Sequence, residues 1–239
     1  MIVKYIKKQT FNPDILGLFI NPFYFARHAL YKNVSSIANH ITGDVIDVGC
    51  GKKPYKHLFQ TKKYIGIEVE QEGHDHTNED VDVFYDGNRI PFDDACFDSA
   101  ITSQVLEHVF TPDAFLTEIN RVLKPNGKLL LTVPFVWDEH EQPYDYARYS
   151  SFGLKSLLEK NGFEITVHIK SLNDMRVIFQ LINIYIFKKT IGLRGNPAAN
   201  IIASFFFNSW VNLLGLILGL ILPKNDDLYL DNVIIARKK

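Results

Sequence analysis

The sequence predicts an α/β fold, a doubly wound and mostly parallel sheet with an apolar helical insertion near its end. Three observations predict it. A β-branched run, Val45, Ile46 and Val48, carries one acid, Asp47, straight into Gly49-Cys50-Gly51, as a buried strand does when it ends in a tight turn. A second short strand, Tyr64-Ile65-Gly66-Ile67, ends in Glu68. Strands and helix-forming stretches then alternate at short spacing, the pattern of parallel strands joined by crossover helices.

Composition narrows the function. At 239 residues and 46% hydrophobic, the chain can build one large core with an addition. A net charge of -1 supplies no basic field of the kind that nucleic acid requires, so no nucleic-acid partner is expected. Two cysteines, Cys50 and Cys96, make no disulfide framework and fit a reducing compartment. The N-terminus is not read as a signal peptide, because Asn12, Pro13, Asp14, Asn21 and Pro22 interrupt its apolar residues. Lys4, Lys7 and Lys8 precede an aromatic stretch, Phe11 to Phe25, which suits either an interfacial segment or a helix packed on the domain.

The remaining elements follow in order. Residues 24–40 form an amphipathic helix closed by Gly43 and Asp44. In the first strand, Asp47 stands where a carboxylate can reach a cationic amine, and Gly49 and Gly51 allow close approach. Lys52 to Phe59 is expected to open a helix, with Pro54 in its first turn. Glu68 at the end of the second strand lies where one carboxylate can take two adjacent ribose hydroxyls. His74 and His76 fall in a polar loop without a remaining ligand set, so no metal is expected. Val81 to Tyr85 is a third strand ending in Asp86-Gly87, and Phe97 to Thr102 a fourth ending in Ser103-Gln104. Thr111 and Pro112 cap a helix with Phe115, Ile119, Val122 and Leu123 on its apolar side, stopped by Lys124 to Gly127. Lys128 to Val133 is a fifth, buried strand.

The ordered set DVIDVGCG, IGIE, DGNRIPFDDACFD, SQVLEHV and LKPNGKLLLTVP resembles the class I S-adenosylmethionine-dependent methyltransferases, in particular the methyltransferase type 11 group. That resemblance covers about residues 40–170 and a last strand near 228–237. It implies a Rossmann-like, seven-stranded sheet with an antiparallel last strand, and S-adenosylmethionine as cofactor. It places Asp47, Gly49 and Gly51 around the methionine part, Glu68 on the ribose, Asp86 and Gly87 by the adenine, and Ser103 and Gln104 beneath the cofactor. Lys52-Lys53-Pro54 stands where many members carry a further glycine. The same Pro54 leaves the chain without a full G-x-G-x-x-G and argues against a nicotinamide dehydrogenase.

The acceptor side is expected after the fifth strand, in Pro134 to Tyr149, because loops at the carboxyl ends of parallel strands line the ligand crevice. His140 is the leading base by its ordinary pKa, with Asp145 or Glu139 to orient or replace it. Arg148 can clamp an anion, and Tyr144, Tyr146 and Tyr149 can stack on a ring. A purely local Asp145–Arg148 pair is the competing reading, and His108 is read as structural. The stretch resembles relatives of the type 11 group associated with surface glycans and lipids.

Beyond a sixth strand the chain changes character. Met175 to Phe187 is apolar except for Arg176, Gln180 and Asn183. Ile201 to Leu222 has no charge, with Ser204, Asn208, Asn212, Gly215 and Gly219 along one face. The second stretch is long enough to span a bilayer, but a single crossing would part the last strand from its sheet. A hairpin dipping into one leaflet, or a helical cap, fits better. Lys188, Lys189, Arg194 and Lys224 flank it and can meet anionic headgroups.

The expected domains are an N-terminal segment 1–40, a cofactor-binding domain 41–170 with 226–239, and an insertion 171–225. The expected function is methyl transfer to an amphiphilic, lipid-linked, glycan or small-molecule acceptor, at oxygen. The alternative is a non-catalytic cofactor-binding module recruited through its apolar helices. Expected partners are a small-molecule or lipid-linked substrate, a peripheral membrane contact and a second copy through the apolar helices. The expected location is the cytoplasm, on the inner face of the membrane.

Overall fold

A computed structural model describes residues 9–70 and 80–239; Lys4, Lys7, Lys8 and the His74–His76 loop lie outside the described residues. In order, the elements are α1 (Gly17–Ile20), α2 (Tyr24–Ile37), β1 (Thr42–Val48), β2 (Gln60–Val69), β3 (Val83–Tyr85), β4 (Phe97–Ser103), α3 (Pro112–Val122) and β5 (Leu123–Pro134). There follow α4 (Ser151–Lys160), β6 (Phe163–Ser171), α5 (Arg176–Thr190), α6 (Pro197–Ala203), α7 (Ser209–Ile221) and β7 (Asp231–Lys238).

The seven strands run in the order β3-β2-β1-β4-β5-β7-β6. β1 lies parallel to β2, with Val45 opposite Tyr64, and to β4, with Val45 opposite Ser99. Order reverses between β1 and β4, and a doubly wound sheet opens its ligand crevice at such a point. β7 is antiparallel to β6: Leu230 N–H donates to Ser171 O at one end and Lys239 N–H to Gly162 O at the other. The mixed α/β sheet predicted from the sequence is the sheet observed.

The chain divides into two compact units. One comprises residues 34–135, 139–169 and 232–239 and carries most of the sheet. Its core is dry: Val45, Ile46, Leu129, Leu130, Leu131 and Ile234 are fully buried on central strands that read as continuous apolar runs. The other comprises residues 1–33, 136–138 and 170–231. In it Phe25, Val177, Phe179 and Leu230 form a small apolar cluster. The interior of its helices is polar. Gln180 accepts from Ala26 N–H and donates to Pro22 O. Asn183 donates to Asn212 at 2.7 Å, Asn208 donates to Asn183, and Asn212 donates to Leu18 O. Arg194 reaches Ser204 and Asn208. A five-residue π segment, Ser204–Asn208, joins α6 to α7, so that one helix runs from Pro197 to Ile221.

Three local expectations need correction. No helix forms over Lys52 to Phe59; only the 3-10 turn Lys56–Leu58 appears. Lys53 takes a φ of 47° and its ammonium is held by Asp82 at 2.7 Å, a conformation that a helix start excludes. Thr111 does not cap α3 through its side chain, although Pro112 does occupy the first turn. The helix does stop before Lys124, but the fifth strand starts at Leu123 rather than Lys128, with the register shifting as Phe97 pairs Leu123 and Ser99 pairs Lys128.

Candidate functional site

The turn after β1 is shaped by two glycines. At Gly49 (φ +76°) a Cβ would meet Val105 Cγ2 at 2.3 Å, so a side chain is excluded both by conformation and by space. At Gly51 (φ +44°) a Cβ would meet nothing within 4 Å, so the backbone there borders open space. Glu68, at the end of β2, accepts from Gly51 N–H at 3.0 Å and ties the turn to the second strand. The cleft above is lined by Gly49, Glu68, Val69, Gly87, His108 and Tyr144, among others.

Lys53 is the part of this turn that the sequence pattern could not explain. Its side chain runs back under the loop, where a Cβ on Gly66 would meet Lys53 Cε at 2.2 Å and Cys50 Sγ at 2.6 Å. Its ammonium pairs with Asp82, whose carboxylate also accepts from Gly66 N–H. Lys53 fixes the turn by a buried cation, so a further glycine is not needed to let β2 approach.

Asp47 is 5% exposed and accepts a hydrogen bond from the Tyr64 hydroxyl. Burial pushes its carboxyl up to about 7; Tyr64 works against that shift, Glu68 adds to it and Lys53 opposes it. A carboxyl poised there ionises readily when a cation arrives. Asp86 closes a tight turn by accepting from Asn88 and Arg89 N–H groups, which lowers its pKa and sets Gly87 (φ +78°) at the cleft edge. Ser103 and Gln104 both engage Thr132 on β5 at 2.8 and 3.2 Å, with Gln104 at φ +59°. The structure thus brings Gly49, Glu68 and Gly87 to the cleft wall. Asp47 faces Tyr64 beneath the strand end, outside the cleft lining, and Ser103 and Gln104 face β5.

On the acceptor side, Asp145 is locked. Its carboxylate takes a two-pronged contact from Arg148, at 2.6 and 2.7 Å, and a hydrogen bond from His140 N–H at 2.9 Å. Burial raises its pKa, but Arg148 and the His140 amide outweigh that and hold it at about 2. Arg148 therefore spends its fork within the loop. His140 stands edge-on to His108, ring centroids 4.8 Å apart. Tyr144 lines the cleft, Tyr146 packs on Phe110, and Tyr149 is half-buried with its hydroxyl pKa raised by burial. Tyr64, Lys53, Asp82 and the apolar wall of Val105, Val109 and Phe115 were missed from the sequence. Only Lys53 had a signal, its departure from the expected glycine.

The comparisons with known proteins point to one class of enzyme. A family model described as a methyltransferase domain matches residues 46–131. A probable S-adenosylmethionine-dependent methyltransferase of Mycolicibacterium smegmatis is 29% identical over 166 residues, 63% of this chain and 63% of that protein. Residues 46–131 thus resemble the methyltransferase domain of S-adenosylmethionine-dependent enzymes. S-adenosylmethionine is the cofactor of that domain. A ubiquinone/menaquinone biosynthesis C-methyltransferase of Paraburkholderia phymatum is 43% identical over 61 residues, 25% of each chain. The chain thus spans less than two thirds of these curated relatives.

Solved structures confirm the fold of the methyltransferase domain. The [4+2]-cyclase SpnF superposes with a TM-score of 0.56 at 22% identity, covering 89% of this chain and 81% of that one. A Haemonchus contortus phosphoethanolamine N-methyltransferase 2 in complex with S-adenosyl-L-methionine gives 0.52 at 18%, covering 98% and 57%. A cyclase and a methyltransferase on one fold show that the sheet alone does not name the reaction.

The residues present fit the methyltransferase cofactor. A glycine turn open to space, an acid at the end of β2 and a buried carboxyl able to ionise match a ligand with a carboxylate, a diol and a positive centre.

Proposed function

We propose that this protein transfers a methyl group from S-adenosylmethionine to an oxygen of an amphiphilic acceptor, lipid-linked or glycan-bearing, at a membrane surface. The arrangement of Glu68, Gly49 and Gly51 around the cleft carries the cofactor half of this reading. When bound, the cofactor supplies a methyl on a positive sulfur with a neutral thioether as leaving group, so the protein mainly aligns the acceptor and removes its proton. Glu68 would take the ribose hydroxyls, and Asp47, ionised by a cation, would balance the positive end of the ligand. Of the two groups put forward for the proton, His140 suits the role better than Asp145. The latter is held at about pKa 2 by Arg148 and is a weak base. Asp145 and Arg148 position His140 instead, by holding its backbone and ring.

The helical unit supports the membrane half. Its polar residues point inward, and its exposed face carries Phe206, Trp210, Leu214, Ile217, Leu220 and Ile221, all at least half exposed and Leu220 79% exposed. The Pro197–Ile221 helix is 25 residues long with a mean hydropathy of 1.8 and only one third of its window buried. An apolar face of this extent, with Lys189 and Lys224 flanking it in the sequence, matches an anionic bilayer better than water.

Two measurements test the proposal. Calorimetry should show S-adenosylmethionine binding that Glu68→Ala weakens at least ~10-fold, the worth of one charged hydrogen bond; intact protein that binds none of it removes the cofactor assignment. Incubation of a membrane extract with the enzyme and labelled cofactor should place label in an extractable amphiphile. Label confined to water-soluble metabolites would overturn the acceptor class.

A further inference from the structure

A cluster of metal-ligating side chains lies where the 3-10 turn Leu106–His108 meets the acceptor loop. Glu107 is fully buried on that turn, and its backbone carbonyl accepts from Tyr146 and Ala147 N–H groups, which pins the loop against it. One ligand atom each from Glu107, His108 and His140 lies within 4.8 Å of the others.

The hydrogen bonding of His108 defines what the cluster lacks. Its Nδ1 is 2.9 Å from the Tyr144 carbonyl, which can only accept, so Nδ1 carries a proton. Nε2 is then the lone-pair nitrogen of the neutral ring. It faces Glu141 Oε2 at 3.2 Å and Glu107 Oε1 at 3.9 Å. A lone pair turned toward two carboxylates is repulsive unless positive charge sits among them. That charge is either a proton on Nε2 or a metal ion. The outer bond from Nδ1–H to a backbone carbonyl is the one that metal-bound imidazoles make. On the far side, Asp145 and Arg148 hold the His140 ring from Nδ1, each at 3.4 Å, and neutralise one another.

We propose that Glu107, His108 and His140 bind one divalent transition-metal ion, with Glu141 as a further ligand. Two imidazoles and a carboxylate suit zinc, or iron and manganese, rather than magnesium, which takes oxygen ligands. Tetrahedral ligands on zinc stand about 3.4 Å apart, so rotation of side chains from the present spacing closes the site. His108 and Tyr144 also line the cofactor cleft. An ion there would lower the proton affinity of an acceptor hydroxyl, and His140 would then assist loss of that proton as a ligand of the ion, which replaces the free-base role given to it above. That role rests on the functional reading above; the binding itself does not.

Cobalt(II) titration of the chelator-stripped full chain, followed by visible absorption, tests the site directly. The expected result is one equivalent bound, with a d–d band, competed by zinc and not by magnesium. His108→Ala and His140→Gln should each weaken binding at least ~10-fold, with circular dichroism unchanged; removal of one imidazole ligand demands at least that. No uptake at neutral pH, or uptake unaffected by both substitutions but lost in His74→Ala/His76→Ala, overturns the proposal. S-adenosylmethionine affinity is measured on the same samples. Cobalt binding without cofactor binding leaves the metal site and removes the methyl-transfer reading; the reverse removes the metal alone.

Discussion

The two units of this chain solve the burial problem in opposite ways. In the sheet-bearing unit the interior is apolar, with Ile46, Leu129, Leu130 and Ile234 shielded from water, and the polar groups collect at the strand ends where a ligand binds. In the helical unit the interior carries Gln180, Asn183, Asn208 and Asn212, all buried, while Phe206, Trp210, Leu220 and Ile221 face outward. Water drives the first arrangement and gains nothing from the second. Buried amides there satisfy one another, and the exposed apolar face is the one that the proposed membrane contact would cover.

Substitutions in each unit separate the two modes of burial. Leu130→Ala, in the dry core, should cost about 2–5 kcal/mol by chemical denaturation, because the buried methyls and their contacts are lost together. A cost below ~1 kcal/mol would show that the sheet is not the principal core.

A smaller effect is expected at Asp47, whose carboxyl is raised to about 7 in the folded protein from an ordinary 3.8. Below pH 4 both states bind the proton. As pH rises through about 7 the unfolded chain has already lost it, so apo stability falls by at most on the order of 4 kcal/mol. Asp47→Asn should flatten that fall in a series of melts from pH 5 to pH 8. An unchanged slope would contradict the assignment of this carboxyl.

Next comes Asn212→Ala in the helical unit, which strips partners from Asn183 and the Leu18 carbonyl. We expect a loss of about 1–3 kcal/mol. Asn212→Leu being as stable as the native chain would mean that the seam is replaceable packing.

The least effect on stability is expected from Trp210→Ser with Leu220→Ser, both on the outer face at 72% and 79% exposure. Melting in water should shift by less than ~0.5 kcal/mol equivalent, while flotation with vesicles of mixed neutral and anionic lipid drops sharply. Equal flotation of this variant and the native chain would sink the membrane reading, and a native dimer that the variant abolishes would assign the face to a second copy.

Much of the sheet is legible in the sequence. β1, β2, β4 and β5 announce themselves as β-branched or leucine runs ending in Gly49, Glu68, Ser103 and Pro134. The polar stripe of Gln180 and Asn183 was also visible, as was that of Asn208 and Asn212. What those stripes faced was not, because a helical period gives a direction relative to its own axis only. Ser150, which caps α4 by accepting from Gly153 N–H, passed unnoticed in the crowded loop before it.

The sequence by itself determined the order of elements, the glycine turn and the acid that follows it, since period and backbone sterics act within a few residues. Tertiary structure alone decided the partners. Lys53 joins Asp82 across 29 positions, Asp47 meets Tyr64 across 17, and His108 comes to His140 from a different strand end. Those pairings depend on which strands lie side by side, and that is fixed by burying many apolar side chains at once rather than by any short stretch of chain.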